Sequence, residues 1–283
     1  MTYIVFDIGG TKTRVASSDD LQSFSEVKSF KTSQDFGSWF NQFAKITRVL
    51  AKGGEIYGMA GGVRGVLNEE HTRVIHDSVL TAWENKPLLK KLEEVSKSPV
   101  FLENDSAVAG LGEAVFGAGE NMEIVAYHTI STGVGGVKIE NGEIDSSSIG
   151  FEPGHQILDI DRTILGPDVT PTLENLVSGT AVKQRYDVEP YEIPQSDILW
   201  EDLAGYLGQG LRNTILYWSP DVIVLGGSMI IGDPKIKIES IRKYTVEALD
   251  GFVECPLITT ASLGDEAGLY GGMVILNNNL TEE

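Results

Sequence analysis

The chain has 283 residues, 41% hydrophobic and 22% charged, which suits about two globular domains, each with its own core. Its net charge of −19 argues against nucleic acid or an anionic membrane as a partner, since both call for a basic surface. A single cysteine, Cys255, leaves no disulfide framework and no cysteine-rich zinc site within the chain, and it fits a reducing, cytoplasmic setting.

The opening strand already contains Asp7, so no signal peptide is expected. No apolar run reaches about 18 residues, so no membrane span is expected either. Residues 3–31 read as a three-stranded meander, "YIVFDIG", "TRVASS" and "EVKSFK". Apolar residues at helical spacing predict a helix over residues 35–51, and another is expected over 85–95. Between them "EIYGMAGGVRG" is a strand running into a glycine loop. "PVFLEND" is a strand ending in a carboxylate, followed by a helix over "SAVAGLGEAVFG". At residue 123 the opening pattern returns. "EIVAYHTISTGVGGVKIENGEID" is again strand, glycine turn and strand, closed by the hairpin signal Asn141-Gly142. We read this as an internal duplication; two unrelated hairpins are the alternative. A Pro- and acid-rich connector occupies 186–200, then a helix over 202–218 and a buried strand ending at Gly226-Gly227. A helix over 235–249, a strand near "CPLITTAS" and a last helix over 265–279 complete the chain, with a frayed "NNNLTEE" end.

The opening glycine turn leads into a strand, whereas a P-loop and the dinucleotide fingerprint each lead into a helix. Gly9 and Gly10 let backbone amides approach an anion, Thr11 adds a hydroxyl and Lys12 a positive charge. Asp7 beside them would repel a phosphate unless a divalent cation lies between, and Mg²⁺ takes one or two carboxylates with phosphate oxygens and water. The second turn offers Ser131, Thr132 and Gly133 without charge, for the other side of a polyphosphate. Gly226 and Gly227 end a strand where the backbone can approach a nucleoside. Two such turns would hold a nucleotide in a cleft between two domains; a plain tight turn is the alternative for each.

Asp105, where a strand meets a helix, is placed either to cap that helix or to accept a proton from a substrate hydroxyl attacking phosphorus. Asn104 suits a neighbouring hydroxyl. Glu152, His155 and Glu174 suit a polyol through bidentate hydroxyl bonds, or lie in solvated loops.

Together these residues resemble the ROK family of sugar kinases and repressors. "DIGGTK" (7–12), "ENDSAVAGLGE" (103–113), "STGVGG" (131–136), "EPGH" (152–155), "LENLVSG" (173–179), "VIVLGG" (222–227) and "LGDEAGLYGG" (263–272) occur in family order across nearly the whole chain. The resemblance implies an α/β fold, the duplicated actin-like (ribonuclease H-like) ATPase. Its small domain would be 1–106 plus the C-terminal helix 265–283, and its large domain 107–264. It implies Asp105 as catalytic base, Asn104 as a sugar ligand, Gly61 and Gly62 in the sugar-side loop, and Glu152, His155 and Glu174 on ring hydroxyls. Residues 7–12 and 131–135, Gly135 included, would hold the ATP phosphates and Mg²⁺, with Asp7 on the metal and Gly226-Gly227 near the adenosine. A homodimer is the family's form.

Three departures stand out. The family's cysteine-rich zinc loop is replaced by "QILDIDRTILGPDVTPT", so no zinc is expected. The loop "GMAGGVRG" lacks the family's proline and carries Arg64, and Val79 stands where an Asn is common. The repressors' N-terminal helix-turn-helix has no counterpart before the first turn. The implied activity is ATP-dependent phosphorylation of a hexose hydroxyl, the 6-OH of glucose or a related hexose or N-acetylhexosamine. A catalytically silent sugar-binding regulator and a different actin-like ATPase are the rival readings.

Overall fold

The computed structural model describes residues 1–147 and 150–280. It forms two compact units, one of Met1–Phe116 with the chain from Asp265 onward, the other of Gly117–Gly264. A boundary after residue 106 would cut the helix Asp105–Phe116 at its first turn. That helix instead stays whole in the first unit, because it packs closely on the C-terminal helix Ala267–Leu280. A Cβ at Gly112 would lie 2.2 Å from the Ala267 carbonyl oxygen, and one at Gly271 would lie 1.8 Å from that of Val108. Only glycine lets the two backbones come this near.

The first unit opens with the expected meander, β1 (Thr2–Ile8), β2 (Lys12–Ser18) and β3 (Glu26–Lys31), all antiparallel. Helix α1 (Phe36–Leu50) follows, its N-cap Asp35 accepting the Ser38 N–H at 2.7 Å. Strand β4 (Ile56–Val63) pairs parallel with β1. A small hairpin, β5 (Val66–Leu67) and β6 (Val74–His76), was not anticipated. Helix α2 (Leu88–Ser96) starts three residues later than expected, directly after Pro87, which also serves as its N-cap residue. Strand β7 (Val100–Asn104) leads into α3 (Asp105–Phe116). The sheet order is β3-β2-β1-β4-β7. Ile4, Phe6 and Ile8 face a core with Trp39, Phe43 and Trp83. The alternate residue Val5 faces the C-terminal helix through Leu269, Met273 and Leu276. Residues 277–280, expected to fray, are helical; 281–283 lie outside the described residues.

The second unit repeats the plan. It contains β8 (Ile124–Ile130), β9 (Val134–Glu140) and β10 (Glu143–Ile144), with Asn141 and Gly142 both at positive φ in the second hairpin turn. Short helices α4 (Leu173–Val177) and α5 (Gly179–Tyr186) precede the long α6 (Leu199–Trp218). Then come β11 (Val222–Gly226), α7 (Ser228–Ile231), α8 (Ile238–Leu249) and β12 (Leu257–Thr260). The sheet order β10-β9-β8-β11-β12 matches the first, antiparallel hairpins on one side and parallel strands on the other. Strand pairing fixes the equivalences. Asp7 pairs with Arg14 and Gly62, and Thr129 occupies the same place with Gly135 and Gly226. The second turn is one residue shorter, residues 131–133 against 9–12.

One buried group in the second unit has no counterpart in the sequence reading. His128 is fully buried on β8, its Nε2 3.0 Å from the Thr214 hydroxyl, its ring stacked on Trp218 and its Nδ1 without a hydrogen-bond partner. Burial lowers its pKa to about 4, so it sits neutral in the fold.

Candidate active site

In the first unit the parallel strands β1, β4 and β7 end side by side, and their register lines up Asp7, Gly62 and Glu103. The phosphate-turn candidates sit at the end of β1. Gly9 donates its N–H to the Lys12 carbonyl at 3.1 Å, so that amide is spent within the turn. The Gly10 and Thr11 N–H groups take no part in the turn's hydrogen bonds. The turn is braced from below. Thr32 donates its hydroxyl to the Gly9 carbonyl at 2.8 Å and its N–H to the Thr11 carbonyl, and a buried chain runs on through Thr13 to the Trp39 indole.

Asp7 is 18% exposed and is gripped by Arg14, whose Nη1 lies 3.1 Å from its carboxylate. The other end of the Arg14 guanidinium pairs with Asp265, while Lys12 reaches that carboxylate only at 3.9 Å. Burial, with the negative charge of Asp105, raises the Asp7 pKa to about 7 against the opposing pull of Arg14. Gly268 lets the C-terminal helix press on this carboxylate, since a Cβ there would lie 3.1 Å from its Cγ. Arg14 and Asp265 were not singled out in the sequence. The signal was present for Arg14, because residues 7 and 14 flank the turn symmetrically and must pair in a hairpin.

Asp105 is the first residue of α3, and its neighbour does the capping. Asn104 Oδ1 accepts the N–H groups of Ser106 at 3.0 Å and Ala107 at 3.2 Å, and its Nδ2 donates to the Gly65 carbonyl. The cap alternative for Asp105 therefore falls to Asn104, whose Nδ2 has a second N–H besides the one donated to Gly65. The Asp105 carboxylate accepts the Ser106 N–H at 2.8 Å and the Ser106 hydroxyl at 3.4 Å. Burial raises its pKa, and the nearby Arg64 guanidinium opposes that rise. Gly62 gives α3 its approach to the sheet, for a Cβ there would lie 2.8 Å from the Asp105 Cα. Gly61 packs closely on β1, its Cβ position only 1.9 Å from the Phe6 carbonyl oxygen.

Arg64 of the sugar-side loop and Val79, the two residues that depart from the family pattern here, both lie against Gly10 of the phosphate turn. A Cβ on Gly10 would meet Arg64 Nη1 and Val79 Cγ1, each at 3.0 Å. Arg64 Nε is held at 2.7 Å by Asp77, whose side chain is 1% exposed and which also accepts the N–H groups of Val79 and Leu80. Asp77 gave no signal in the sequence.

In the second unit, Ser131 bonds its N–H to the Gly133 carbonyl and its hydroxyl to that of Ser228, just after Gly227. Gly227 has φ +87° and its Cβ position lies 2.3 Å from the Ile130 carbonyl oxygen, so only glycine fits. The Tyr127 hydroxyl lies 2.6 Å from the Cβ position of Gly226, so a side chain there would collide with it. Thr132 is exposed and Gly135 pairs with Thr129 in the ladder. Glu174, at the start of α4, accepts the Val134 N–H at 2.8 Å and lies against Gly133. It thus ties the second turn to α4. The "EPGH" segment forms a tight turn on β9, with Gly154 packed on the Val134 carbonyl. Glu152 and His155 are exposed there, and the His155 imidazole has no hydrogen-bond partner among the described residues.

Among the described residues no group of three or more His, Cys, Asp or Glu is arranged to hold a metal by itself. Asp7 offers one carboxylate beside free turn amides. That donor set fits Mg²⁺ arriving on a nucleotide, with phosphate oxygens and water completing its shell.

Comparison with known proteins places the chain. A fructokinase of Lactococcus lactis subsp. cremoris is 28% identical over 263 residues, covering 90% of this chain and 87% of that protein. An N-acetyl-D-glucosamine kinase of Histophilus somni is 27% identical, covering 96% of this chain and 98% of that one. The crystal structure of a ROK hexokinase from Thermus thermophilus matches all of both chains with a TM-score of 0.85 at 25% identity. The fold is the duplicated actin-like ATPase fold. The ROK family profile matches residues 3–279, and with its two sheets of one plan and their paired glycine turns the chain belongs to the ROK family.

Proposed function

We propose that the protein is an ATP-dependent hexose kinase that transfers the γ-phosphoryl of MgATP to the 6-hydroxyl of a hexose or N-acetylhexosamine. The observation that carries this reading is the carboxylate of Asp105, with the helix cap supplied by Asn104, packed against Gly62 and close enough to Asp7 for the two charges to interact. In the transfer, the sugar oxygen bonds to the γ-phosphorus as the bond to the β,γ-bridging oxygen breaks. The hydroxyl proton passes to Asp105, and ADP leaves with the bonding pair. A carboxylate whose pKa is raised is a better base near neutrality, provided enough of it stays ionised, and the Arg64 charge works in that direction.

The Gly10 and Thr11 amides and Lys12 are assigned to phosphate oxygens, and Asp7 to the Mg²⁺ of the nucleotide, which neutralises charge on those oxygens. Glu152, His155 and Glu174 are assigned to ring hydroxyls, with one Glu174 oxygen already committed to Val134. The relatives named above, a fructokinase, an N-acetyl-D-glucosamine kinase and a hexokinase, support a kinase acting on sugars of this size. The test is an ADP-release assay with MgATP against a panel of hexoses and N-acetylhexosamines. Sugar-dependent turnover on one or two of them is the expected result. A sugar that raises the melting temperature without turnover would replace this reading with that of a silent sugar-binding regulator.

A further inference from the structure

We propose that Arg64, aligned by the buried Asp77, is a second catalytic residue of this site, contacting the phosphoryl group in transfer beside the glycine turn. The inference rests on the kinase reading above and adds a role that the glycine turn and Asp105 do not supply.

Three observations carry it. Arg64 lies against Gly10, with Nη1 at 3.0 Å and Cδ at 3.1 Å from where a Cβ would stand. Its Nε is fixed by Asp77, which is itself locked by the backbone of residues 79 and 80. A guanidinium held through Nε presents its two terminal nitrogens in a fixed plane, the geometry suited to two phosphate oxygens. Arg64 also stands close enough to Asp105 for its charge to act on that carboxylate. The guanidinium therefore neighbours both the group that takes the proton and the turn assigned to the phosphates. A side chain only 25% exposed, tethered and flanked by these two features, is poorly placed to serve as a solvated surface charge.

Chemically, charge spreads over the equatorial oxygens of the transferring phosphoryl group, and a cation aimed at them stabilises the transition state more than the ground state. Arg64 forms and breaks no bond. It hydrogen-bonds the non-bridging oxygens while the sugar oxygen attacks and ADP departs. Asp77 is a positioning residue, acting through Arg64.

The experiment compares wild type, Arg64→Ala, Arg64→Lys and Asp77→Asn for kcat and for the KM of the sugar found in the panel. Arg64→Ala is expected to lower kcat about 100-fold or more, with the sugar KM changed by less than about threefold. Added guanidinium ion at millimolar concentration should restore part of that loss, and Arg64→Lys should retain more activity than Arg64→Ala. Asp77→Asn should lower kcat about 10-fold at unchanged sugar KM, with no guanidinium rescue. If Arg64→Ala fails to fold, Arg64→Lys and Asp77→Asn carry the same kcat-against-KM test. A rise in sugar KM at constant kcat would make Arg64 a reader of the sugar and overturn the proposal. Unchanged kinetics in folded variants would overturn it too. An inactive wild type would instead remove the kinase reading itself, an outcome visible before any variant is made.

Discussion

The two glycine turns hold the same place in sheets of the same order, yet their chemistry differs. The first has Asp7 and Arg14 as its flanking pair; the second has Thr129 and Gly135 in those positions. Around the first stand Lys12, Arg64, Asp77, Asp105 and Asp265. Around the second stand hydroxyls and Glu174, whose carboxylate is tied to the turn's backbone. Their interiors differ as well. The first unit's fully buried aromatic core includes Trp39 and Trp83, whereas the second keeps a neutral imidazole, His128, at full burial. Duplication has preserved the backbone pairing while the charge has gathered in one copy. A turn of this kind is thus a frame, and its side chains decide whether it does chemistry or only clasps.

The sharpest way to break this asymmetry is Asp105→Asn. It should lower kcat by about 100- to 10,000-fold while sugar binding, followed by calorimetry, stays within a few-fold of wild type. Turnover near the wild-type rate would return the catalytic role to some other carboxylate.

A second test uses acid. The folded pKa of His128, about 4, lies below its unfolded value, so the unfolded chain binds the proton first. Stability is therefore full above about pH 6.5 and is lost as pH falls toward 4, by an amount on the order of 3 kcal/mol. Asp7 has the opposite sign. Its folded pKa of about 7 lies above the unfolded value, so its contribution is present below about pH 4 and lost as pH rises through 7. Urea midpoints across this range should fall more steeply with acid in Asp7→Asn than in wild type, and should flatten or reverse in His128→Leu. Parallel profiles in all three proteins would contradict the assignment.

The mildest test concerns the clasp. Glu174→Ala removes the acceptor of the Val134 N–H and should cost about 1–2 kcal/mol of stability, read from the urea midpoint. The ring-hydroxyl role assigned to Glu174 adds a rise in the sugar KM, whereas a large fall in kcat without the loss of stability would mean the second turn takes part in the transfer directly.

Much of this frame was legible in the sequence, for physical reasons. Both hairpins, the parallel strands and the long helices follow from alternation, helical spacing and the Asn141-Gly142 signal. The β5–β6 hairpin and the α4–α5 pair were missed because each is too short for a period to emerge. At the site, residue types pointed to Asp7 and Asp105, whereas partnership did not show. That Asn104 caps α3 in place of Asp105 depends on which oxygen reaches the Ser106 and Ala107 amides. That Arg64 and Val79 belong to the phosphate turn depends on a contact with Gly10 across more than fifty residues. The Cβ positions of Gly61 and Gly226 fall against neighbouring strand residues, Phe6 and Tyr127. A glycine alone does not say which backbone or side chain occupies the space it leaves.

The return of the chain to the first unit at Asp265 has a consequence for biosynthesis. The second unit is one continuous stretch, complete as soon as residue 264 has left the ribosome. The first cannot close until the helix Ala267–Leu280 has been made, because that helix covers one face of its sheet and presses on Asp7 through Gly268. The nascent chain therefore carries its opening strands half-covered through most of translation, and the acidic centre is assembled last.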